Sequence, residues 1–270
     1  MEEIYFNIGD FVILFKILAS EKPYHSAKFI EMLKNDYGGF VAEKTSKPDF
    51  SVTVFHRGGY AINSRKLKGS KTVDFNATLF HINLKRKILH LGNPPGPFEF
   101  EFMINYLLGV YLLPKTGFIL HGSSVGYKGE SYIFEGPEGA GKSTTSQLLK
   151  GLCDVLSDDS VIVRNIKGSW QTYQTLLNEK NFNFKKTSIS NKPKGLFFVK
   201  KADECKIEKI KNKELILRKV LKQLFTYQDK VSIQFPLLVK FVNENNFYNI
   251  YVKKDEQAFK KFFKKEVSTL

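Results

Sequence analysis

The residues best suited to chemistry form a glycine-rich loop, GPEGAGKS, at positions 136–143. The loop fits the phosphate-loop pattern G-x-x-x-x-G-K-[ST] at every position. Glycines let successive backbone N–H groups turn toward phosphate oxygens, because no side chain blocks the approach. We expect Lys142 to hold the β- and γ-phosphates of a nucleotide and the Ser143 hydroxyl to bind Mg²⁺. The predicted cofactor-binding residues are Gly136, Glu138, Gly139, Ala140, Gly141, Lys142, Ser143 and Thr144.

The flanking sequence favours a nucleotide site over the alternative, a glycine turn that only starts a helix. The apolar run SYIFE (131–135) precedes the loop as a strand would. A helix predicted from about Lys142 to Leu152 follows it and adds its positive end to the phosphate site.

Two adjacent carboxylates, Asp158 and Asp159, follow a short apolar run in VLSDDSVIV (155–163). Asp158 lies 16 residues after Lys142, which leaves room for one helix and a returning strand, so the pair should come back beside the loop. Adjacent residues at a strand end point in different directions and suit two tasks. One carboxylate can help to hold Mg²⁺ and the other can accept a proton from a hydroxyl. The alternative is an Asp-Asp turn that only joins two strands.

The elements that must position these residues alternate between strand and helix patterns, which predicts an α/β fold. GNPPGP (92–97) is the strongest breaker and the predicted boundary between a β-rich N-terminal region, 1–95, and a domain of residues 96–270. The predicted strands lie within 3–17, 49–62, 75–91, 117–127, 131–135, 153–164 and 195–201. The predicted helices span 26–39, 97–113, 142–152, 213–225 and 256–267.

The net charge of +15 is concentrated in the last part of the chain. Residues 161–270 carry 24 Lys and Arg against 10 Asp and Glu, whereas residues 1–160 are almost neutral. This basic lobe either attracts an acidic or phosphate-bearing partner or is an ordinary solvated lysine-rich surface. No nucleic-acid-binding module accompanies the charge, which argues against a nucleic-acid partner.

Composition also indicates the cellular compartment of the protein. Cys153 and Cys205 lack the spacing of a disulfide framework or a zinc site, which favours the reducing cytoplasm. The first residues, MEEIYFNIGD, are acidic where a secretory signal is basic. The most apolar stretch, FMINYLLGVYLL (102–113), is too short to cross a bilayer and predicts a buried helix. We therefore expect no membrane partner.

At these residues the sequence resembles a known family. The segment LHGSSVGYKGESYIFEGPEGAGKSTTSQLL followed by VLSDDSVIV resembles the C-terminal kinase domain of HPr kinase/phosphorylase, which shares its fold with phosphoenolpyruvate carboxykinase. The resemblance implies a P-loop kinase core with a mixed sheet. It implies that His121, which alone would be read as an ordinary core or surface histidine, lines the phosphate and metal site together with Lys142. It further implies that Asp158 is the catalytic base or acid, that Asp159 serves Mg²⁺, and that the chain can form a homo-oligomer.

The sequence departs from that family in two respects. It has no LEIRGLG-like segment after the aspartates, which argues against phosphorolysis. Its five arginines are too few for a carboxykinase. The first hypothesis is therefore an ATP- and Mg²⁺-dependent kinase that phosphorylates a hydroxyl, most simply a serine of a protein or peptide. The alternatives are a non-catalytic nucleotide-binding module and, more weakly, a nucleic-acid-associated NTPase.

Overall fold

The chain folds into a mixed α/β structure. The computed structural model describes residues 1–18, 23–54, 71–75, 78–91, 93–176, 186–226 and 230–270. Within these ranges it has three β-sheets and six α-helices, which confirms the predicted α/β class. It divides into two compact units, an N-terminal unit of Met1–Tyr106 with Lys186–Ser188 and a C-terminal unit of Leu107–Lys185 with Ile189–Leu270.

The N-terminal unit begins with the predicted hairpin. Strands β1 (Glu2–Ile8) and β2 (Phe11–Ile17) pair antiparallel. The two turn residues, Gly9 and Asp10, both have φ near +60°, at 61° and 59°. A two-residue turn with two positive φ angles matches the twist of the flanking strands, so GD at the turn fixes the register of the hairpin.

One six-stranded mixed sheet carries this unit, in the order β1-β2-β3-β6-β5-β4. The strand β3 is parallel to β2 and β6, and the other pairs are antiparallel. The remaining elements are β3 (Phe50–Val54), β4 (Lys71–Phe75), β5 (Thr78–Asn83), β6 (Ile88–Leu91), helix α1 (Pro23–Asp36) and a 3₁₀ turn (Gly38–Phe40). The predicted strand over 49–62 is confirmed as far as residue 54, and residues 55–62 lie outside the described residues.

The core of the N-terminal unit is aromatic. Phe100, from helix α2 (Pro97–Leu107), has no exposed surface and contacts four rings, with ring centres 5.0–6.4 Å apart. These rings belong to Phe6, Phe15, Phe29 and Tyr37. Edge and tilted contacts of this kind stabilise a core beyond simple burial of area.

Helix α2 is the predicted apolar helix. It begins at Pro97, as predicted, and continues as a π-helical turn (Leu108–Leu112) that ends before Pro114. The helix passes from one unit into the other, so the units divide inside it rather than at the GNPPGP breaker. No helix among the described residues is long and apolar enough to span a membrane.

The C-terminal unit contains two sheets. One has six strands in the order β10-β8-β9-β13-β16-β14, and the other has four in the order β12-β11-β7-β15. The six-stranded sheet contains β8 (Ser123–Tyr127), β9 (Glu130–Glu135), β10 (Asp154–Ser157), β13 (Lys192–Lys201), β14 (Lys206–Lys209) and β16 (Phe247–Val252). The four-stranded sheet contains β7 (Gly117–His121), β11 (Ser160–Ile166), β12 (Ser169–Gln174) and β15 (Leu224–Phe225).

Side chains that alternate along β13 divide the core of this unit in two. Leu196 and Phe198 pack with the four-stranded sheet and with α4 (Lys213–Leu221) and α5 (Val231–Glu244). Phe197 and Val199 face the other way and pack with residues of the last helix, α6 (Glu256–Phe262), and with the end of the helix after the phosphate loop. In the predicted helix 256–267, Phe259, Phe263 and Val267 are fully buried against this part of the core, and Phe262 is half-buried.

The helix after the phosphate loop, α3, is shorter than predicted. It spans Lys142–Leu148 instead of reaching Leu152. The next two residues close tighter i to i−3 bonds, from Leu149 N–H to the Ser146 carbonyl and from Lys150 N–H to the Gln147 carbonyl. Gly151 then takes a φ of +80°, which cannot continue a helix.

Candidate nucleotide and phosphoryl-transfer site

Two neighbouring chain crossings between the sheets of the C-terminal unit create the site. At Gly122 the chain leaves β7 of the four-stranded sheet and enters β8 of the six-stranded sheet. At Asp158 and Asp159 it passes in the opposite sense, from β10 to β11. The backbone N–H of Gly122 donates to the carbonyl of Asp159 at 3.1 Å, so the two crossings lie side by side.

The strand directions bring the phosphate loop to the same place. Strand β13 is parallel to β9, and β10 runs in the direction of β9 because both are antiparallel to β8. The loop after β9, the aspartates after β10 and the end of β13 therefore share one edge of the six-stranded sheet. Carboxyl ends of parallel strands are the usual position of ligand sites in α/β folds.

A cavity of about 530 Å³ opens at this edge. Nine of the sequence-predicted site residues line it together with Lys201; they are His121, Glu138, Gly139, Gly141, Lys142, Ser143, Thr144, Asp158 and Asp159. Gly136 and Ala140 belong to the loop but are not among the lining residues. The structure thus brings the predicted phosphate loop, histidine and carboxylates to one cavity.

The backbone of the loop requires glycine at two positions. Gly139 and Gly141 have φ of +73° and +99°, a region that side chains with a Cβ rarely adopt. Gly141 immediately precedes helix α3, and its carbonyl accepts hydrogen bonds from the backbone N–H and the hydroxyl of Thr145, both at 2.8 Å. The glycines thus allow the loop to turn sharply into the helix that carries Lys142 and Ser143.

Lys142 is held inside the loop. Its side chain is only 8 % exposed, and Nζ donates to the carbonyls of Gly136 and Pro137 at 3.0 and 3.4 Å. The Lys142 carbonyl accepts from the Ser123 hydroxyl at 3.0 Å, and the Ser146 hydroxyl donates to Ser123 Oγ at 2.8 Å. These two buried serines fix the start of α3 against β8, and sequence reasoning did not select either of them.

The two aspartates differ in their surroundings. Asp158 is 2 % exposed although it lines the cavity. The side chain of Asp159 is 34 % exposed, and its Oδ1 lies 3.3 Å from Nδ1 of His121. His121 therefore orients Asp159, whereas Asp158 occupies the less hydrated position. The two adjacent carboxylates thus have different surroundings.

Hydroxyl groups hold the turn that carries the aspartates. The Ser157 hydroxyl donates to the carbonyl of Ser160, across the two-residue turn. The hydroxyls of Ser160 and Thr175 are hydrogen bonded at 2.7 Å, and all three side chains are buried. Such buried, satisfied networks fix the position of the groups that they flank.

Lys201 is a site residue that sequence reasoning missed. It is the last residue of β13, and its Cε lies 3.8 Å from the position that a Cβ on Gly141 would occupy. The signal was present in GLFFVKK (195–201), a predicted buried strand with lysines at its carboxyl end. Lys201 adds a second ammonium group to the wall of the cavity beside the phosphate loop.

Glu135 is a second residue that was missed. It ends β9, directly before the phosphate loop, and has no exposed surface. Neither carboxyl oxygen has a hydrogen-bond partner among the described residues. Burial raises the pKa of this carboxyl well above its ordinary value of 4.5, although the positive charge of Lys142 acts in the opposite direction. Burial therefore favours the protonated form of Glu135, which lies directly before the phosphate loop.

We expect Glu135→Gln to stabilise the protein increasingly as the pH rises. A raised folded-state pKa means that the folded state keeps a proton that the unfolded state releases, so wild-type stability falls between the unfolded and folded pKa values. Glutamine carries no such proton, and the variant should gain up to about 1.4 kcal/mol per pH unit relative to wild type in that interval. Urea unfolding of both proteins from pH 5 to pH 8 measures this difference.

The matched control for this experiment is Glu138→Gln. It removes one carboxylate from an exposed position in the adjacent phosphate loop, and so reports the effect of net charge alone. A free-energy difference between Glu135→Gln and wild type that stays constant over this range would contradict the raised pKa of Glu135.

A second cavity, of about 550 Å³, lies in the N-terminal unit between α1 and the turn Pro94–Pro97. Its polar lining consists of single side chains spread along α1, namely His25, Lys28, Glu31, Asn35 and Asp36. It contains neither a glycine-rich loop nor adjacent carboxylates, so the chemistry predicted from the sequence belongs to the cavity of the C-terminal unit.

Comparison with known proteins yields one family match. Residues 99–218 match the family model described as SynChlorMet cassette protein ScmC. No curated protein matches the chain. The chain is thus similar to ScmC over a region that contains every residue lining the phosphate-loop cavity.

Proposed function

We propose that the protein is an ATP- and Mg²⁺-dependent kinase that transfers the γ-phosphoryl group to a hydroxyl, most simply a serine of a protein or peptide. One observation carries this proposal. Asp158 and Asp159 line the same cavity as Lys142 and Ser143 of the phosphate loop. The resemblance of residues 117–164 to the kinase domain of HPr kinase/phosphorylase, and the P-loop kinase core that it implies, support the same function.

The reaction needs a base close to the terminal phosphate. The acceptor hydroxyl oxygen attacks the γ-phosphorus of ATP, and its proton passes to the carboxylate of Asp158. The bond from the γ-phosphorus to the bridging β–γ oxygen breaks, and ADP leaves with that electron pair. Asp158 suits the task because it lines the cavity while being 2 % exposed, so little bulk water competes for its proton.

The cations of the cavity suit the binding of a triphosphate. Lys142 would exchange its bonds to two loop carbonyls for bonds to phosphate oxygens, which are stronger because both partners are charged. Lys201, at the end of β13, adds positive charge at the same wall. Together the two ammonium groups would stabilise the charge on the transferring group.

The oxygen donors of the cavity fit Mg²⁺. This ion prefers one or two carboxylates together with hydroxyls, phosphates and water over a cage of protein ligands. Ser143 and Asp159 would hold it, with His121 fixing the orientation of Asp159. When bound, Mg²⁺ neutralises charge on the phosphates. Consistent with a site that also needs nucleotide oxygens, the described residues contain no group of three or more His, Cys, Asp or Glu able to hold a metal.

The proposed test is direct transfer of label. The protein is incubated with ATP labelled at the γ-phosphate, Mg²⁺ and serine-containing peptides encoded beside it, a choice suggested by the word cassette in the family name. We expect acid-stable label on a peptide serine. Binding of ATP without label on any acceptor would contradict the kinase proposal and favour a non-catalytic nucleotide-binding module. Absence of ATP binding would overturn the nucleotide site as well.

A further inference from the structure

A cluster of lysines lies on the sheet face opposite the phosphate-loop helix. On β13, Phe198 and Lys200 point to the same face because they are two residues apart. Their register partners on β16 are Asn249 and Tyr251. Lys219, from helix α4, covers the same place.

Lys219 is held in a fixed, partly dehydrated position. Its Nζ lies 4.4 Å from the centre of the Phe198 ring and 3.3 Å from Oδ1 of Asn249, and the side chain is half-buried. Within the part of the chain that the structure describes, no carboxylate lies within ion-pair distance of this ammonium group. A buried face of an aromatic ring and one amide oxygen thus replace the carboxylate that a half-buried lysine normally has.

The neighbouring lysines share a single carboxylate. Glu208, on β14, lies 2.5 Å from Nζ of Lys206 and accepts from the Tyr251 hydroxyl at 3.0 Å. Lys200 donates to Oη of the same tyrosine at 3.1 Å and lies 4.9 Å from its ring centre. Glu208 therefore pairs with Lys206 directly and with Lys200 only through the Tyr251 hydroxyl, whereas the contacts of Lys219 are with Phe198 and Asn249.

The excess of positive charge in this cluster acts most strongly on the ammonium group of Lys219. Burial lowers the pKa of its ammonium group, and repulsion by Lys200 lowers it further. The attraction of an anion bound next to Lys200 and Lys219 would offset both unfavourable effects. By contrast, several other lysines of this unit, such as Lys240 and Lys260, each lie beside a carboxylate of their own one helical turn away.

The lysine cluster and the phosphate-loop cavity are connected through consecutive residues of β13. Consecutive residues of a strand point to opposite faces, so Lys201 reaches the phosphate-loop cavity while Lys200 reaches the cluster. Both residues stand at the carboxyl end of β13. A chain that crosses this edge of the sheet can place one residue at the cavity and another, a few residues away, at the lysine cluster.

We infer that Lys200 and Lys219 form an anion-binding subsite that takes a carboxylate or phosphate group of the acceptor peptide near the hydroxyl to be phosphorylated. The inference rests on the proposed kinase function. The compact arrangement favours an acidic peptide over nucleic acid, because a phosphodiester backbone is bound by cations spread along several successive phosphates.

The test measures binding, so that it does not depend on catalysis. The probe is a fluorescein-labelled peptide with one serine flanked by glutamates, and its partner is the same peptide with glutamines in their place. At low salt, we expect Lys200→Gln/Lys219→Gln to bind the glutamate peptide about tenfold more weakly than wild type does. Wild type and the variant should bind the glutamine peptide with the same low affinity. Competition by inorganic phosphate distinguishes a subsite that accepts phosphate from one selective for carboxylates.

A matched double variant separates the subsite from general charge. Lys261→Gln/Lys264→Gln removes the same charge from exposed positions at the C-terminal helix, which packs on the opposite face of the sheet. Its affinity for the glutamate peptide should stay within about twofold of wild type. Equal losses in both double variants would overturn the subsite. Tighter binding of a single-stranded oligonucleotide that is lost in Lys200→Gln/Lys219→Gln would overturn the peptide assignment.

The same variants distinguish failure of the subsite from failure of the kinase proposal. If label transfer occurs, Lys200→Gln/Lys219→Gln should raise KM for the glutamate peptide about tenfold and leave kcat and the KM for ATP unchanged. If no acceptor is labelled but selective peptide binding is lost in this variant, the subsite stands and the kinase proposal falls.

Discussion

Asp158→Asn should reduce the rate of phosphoryl transfer by a factor on the order of a thousand, the typical contribution of a positioned general base. Asparagine keeps the size and the position of the side chain but cannot accept the proton of the acceptor hydroxyl. The affinity for ATP should change by less than about threefold, since Lys142 and the loop backbone carry the phosphates. Single-turnover transfer of label and calorimetric titration with ATP measure the two quantities.

Asp159→Asn is the natural comparison, because it neutralises the adjacent carboxylate of the same turn. Its role in the proposal is to hold Mg²⁺ with Ser143, so its loss should raise the Mg²⁺ concentration needed for half-maximal rate. Excess Mg²⁺ should restore much of the activity of Asp159→Asn and none of that of Asp158→Asn. The reverse pattern would exchange the two roles, and an unchanged rate in both variants would remove the base from the mechanism.

The part of the site that follows a local pattern was predictable from sequence. The spacing of glycines and Lys142 specifies the loop, and the short apolar run before Asp158 specifies a strand that ends at the aspartates. Both patterns depend only on neighbours in the chain. A strand that returns after one short helix can pair at only a few positions in the sheet. For this reason the sequence also predicted that the aspartates come back beside the loop.

The residues that were missed depend on pairing between distant segments. Lys201 joins the cavity because β13 lies parallel to β9, and nothing near residue 201 specifies that neighbour. Glu135 was read as the last residue of a strand, and its burial follows only from the elements packed around it. The crossings at Gly122 and at the aspartates likewise depend on the division of the strands between two sheets. The sequence pattern predicts individual strands but not the sheet to which each strand belongs.

Helix α5 is the largest element that the sequence pattern did not predict. Pro236 lies in its second turn, where proline removes a backbone hydrogen bond and normally argues against a helix. The helix forms because Leu238, Phe241 and Val242 bury their side chains in the core between the two sheets. Tertiary packing of an apolar face outweighs the local cost of the proline.

Lys142→Met should weaken ATP binding at least about a hundredfold, equivalent to about 3 kcal/mol. Methionine keeps an unbranched side chain as far as Cε, so the main change is the loss of the ammonium group. A hydrogen bond between two charged groups contributes about 1.5–3 kcal/mol, and Lys142 is expected to make two, to the β- and γ-phosphates. Part of that gain is already offset in wild type, because Nζ must leave the carbonyls of Gly136 and Pro137. Titration with ATP and Mg²⁺, followed by calorimetry, measures the affinity.

Lys201→Met provides the comparison for this prediction, since it removes the same charge from the same cavity. Lys201 is exposed, whereas Lys142 is 8 % exposed, so water screens its interaction with the phosphates and its loss should weaken ATP binding by about threefold to tenfold. Urea unfolding checks that both variants remain folded, because the Lys142 ammonium also closes the loop onto its own carbonyls. Equal, small losses in the two variants would mean that Lys142 contributes only to the general positive potential of the cavity. A large loss confined to Lys142→Met would assign the direct phosphate contact to that residue.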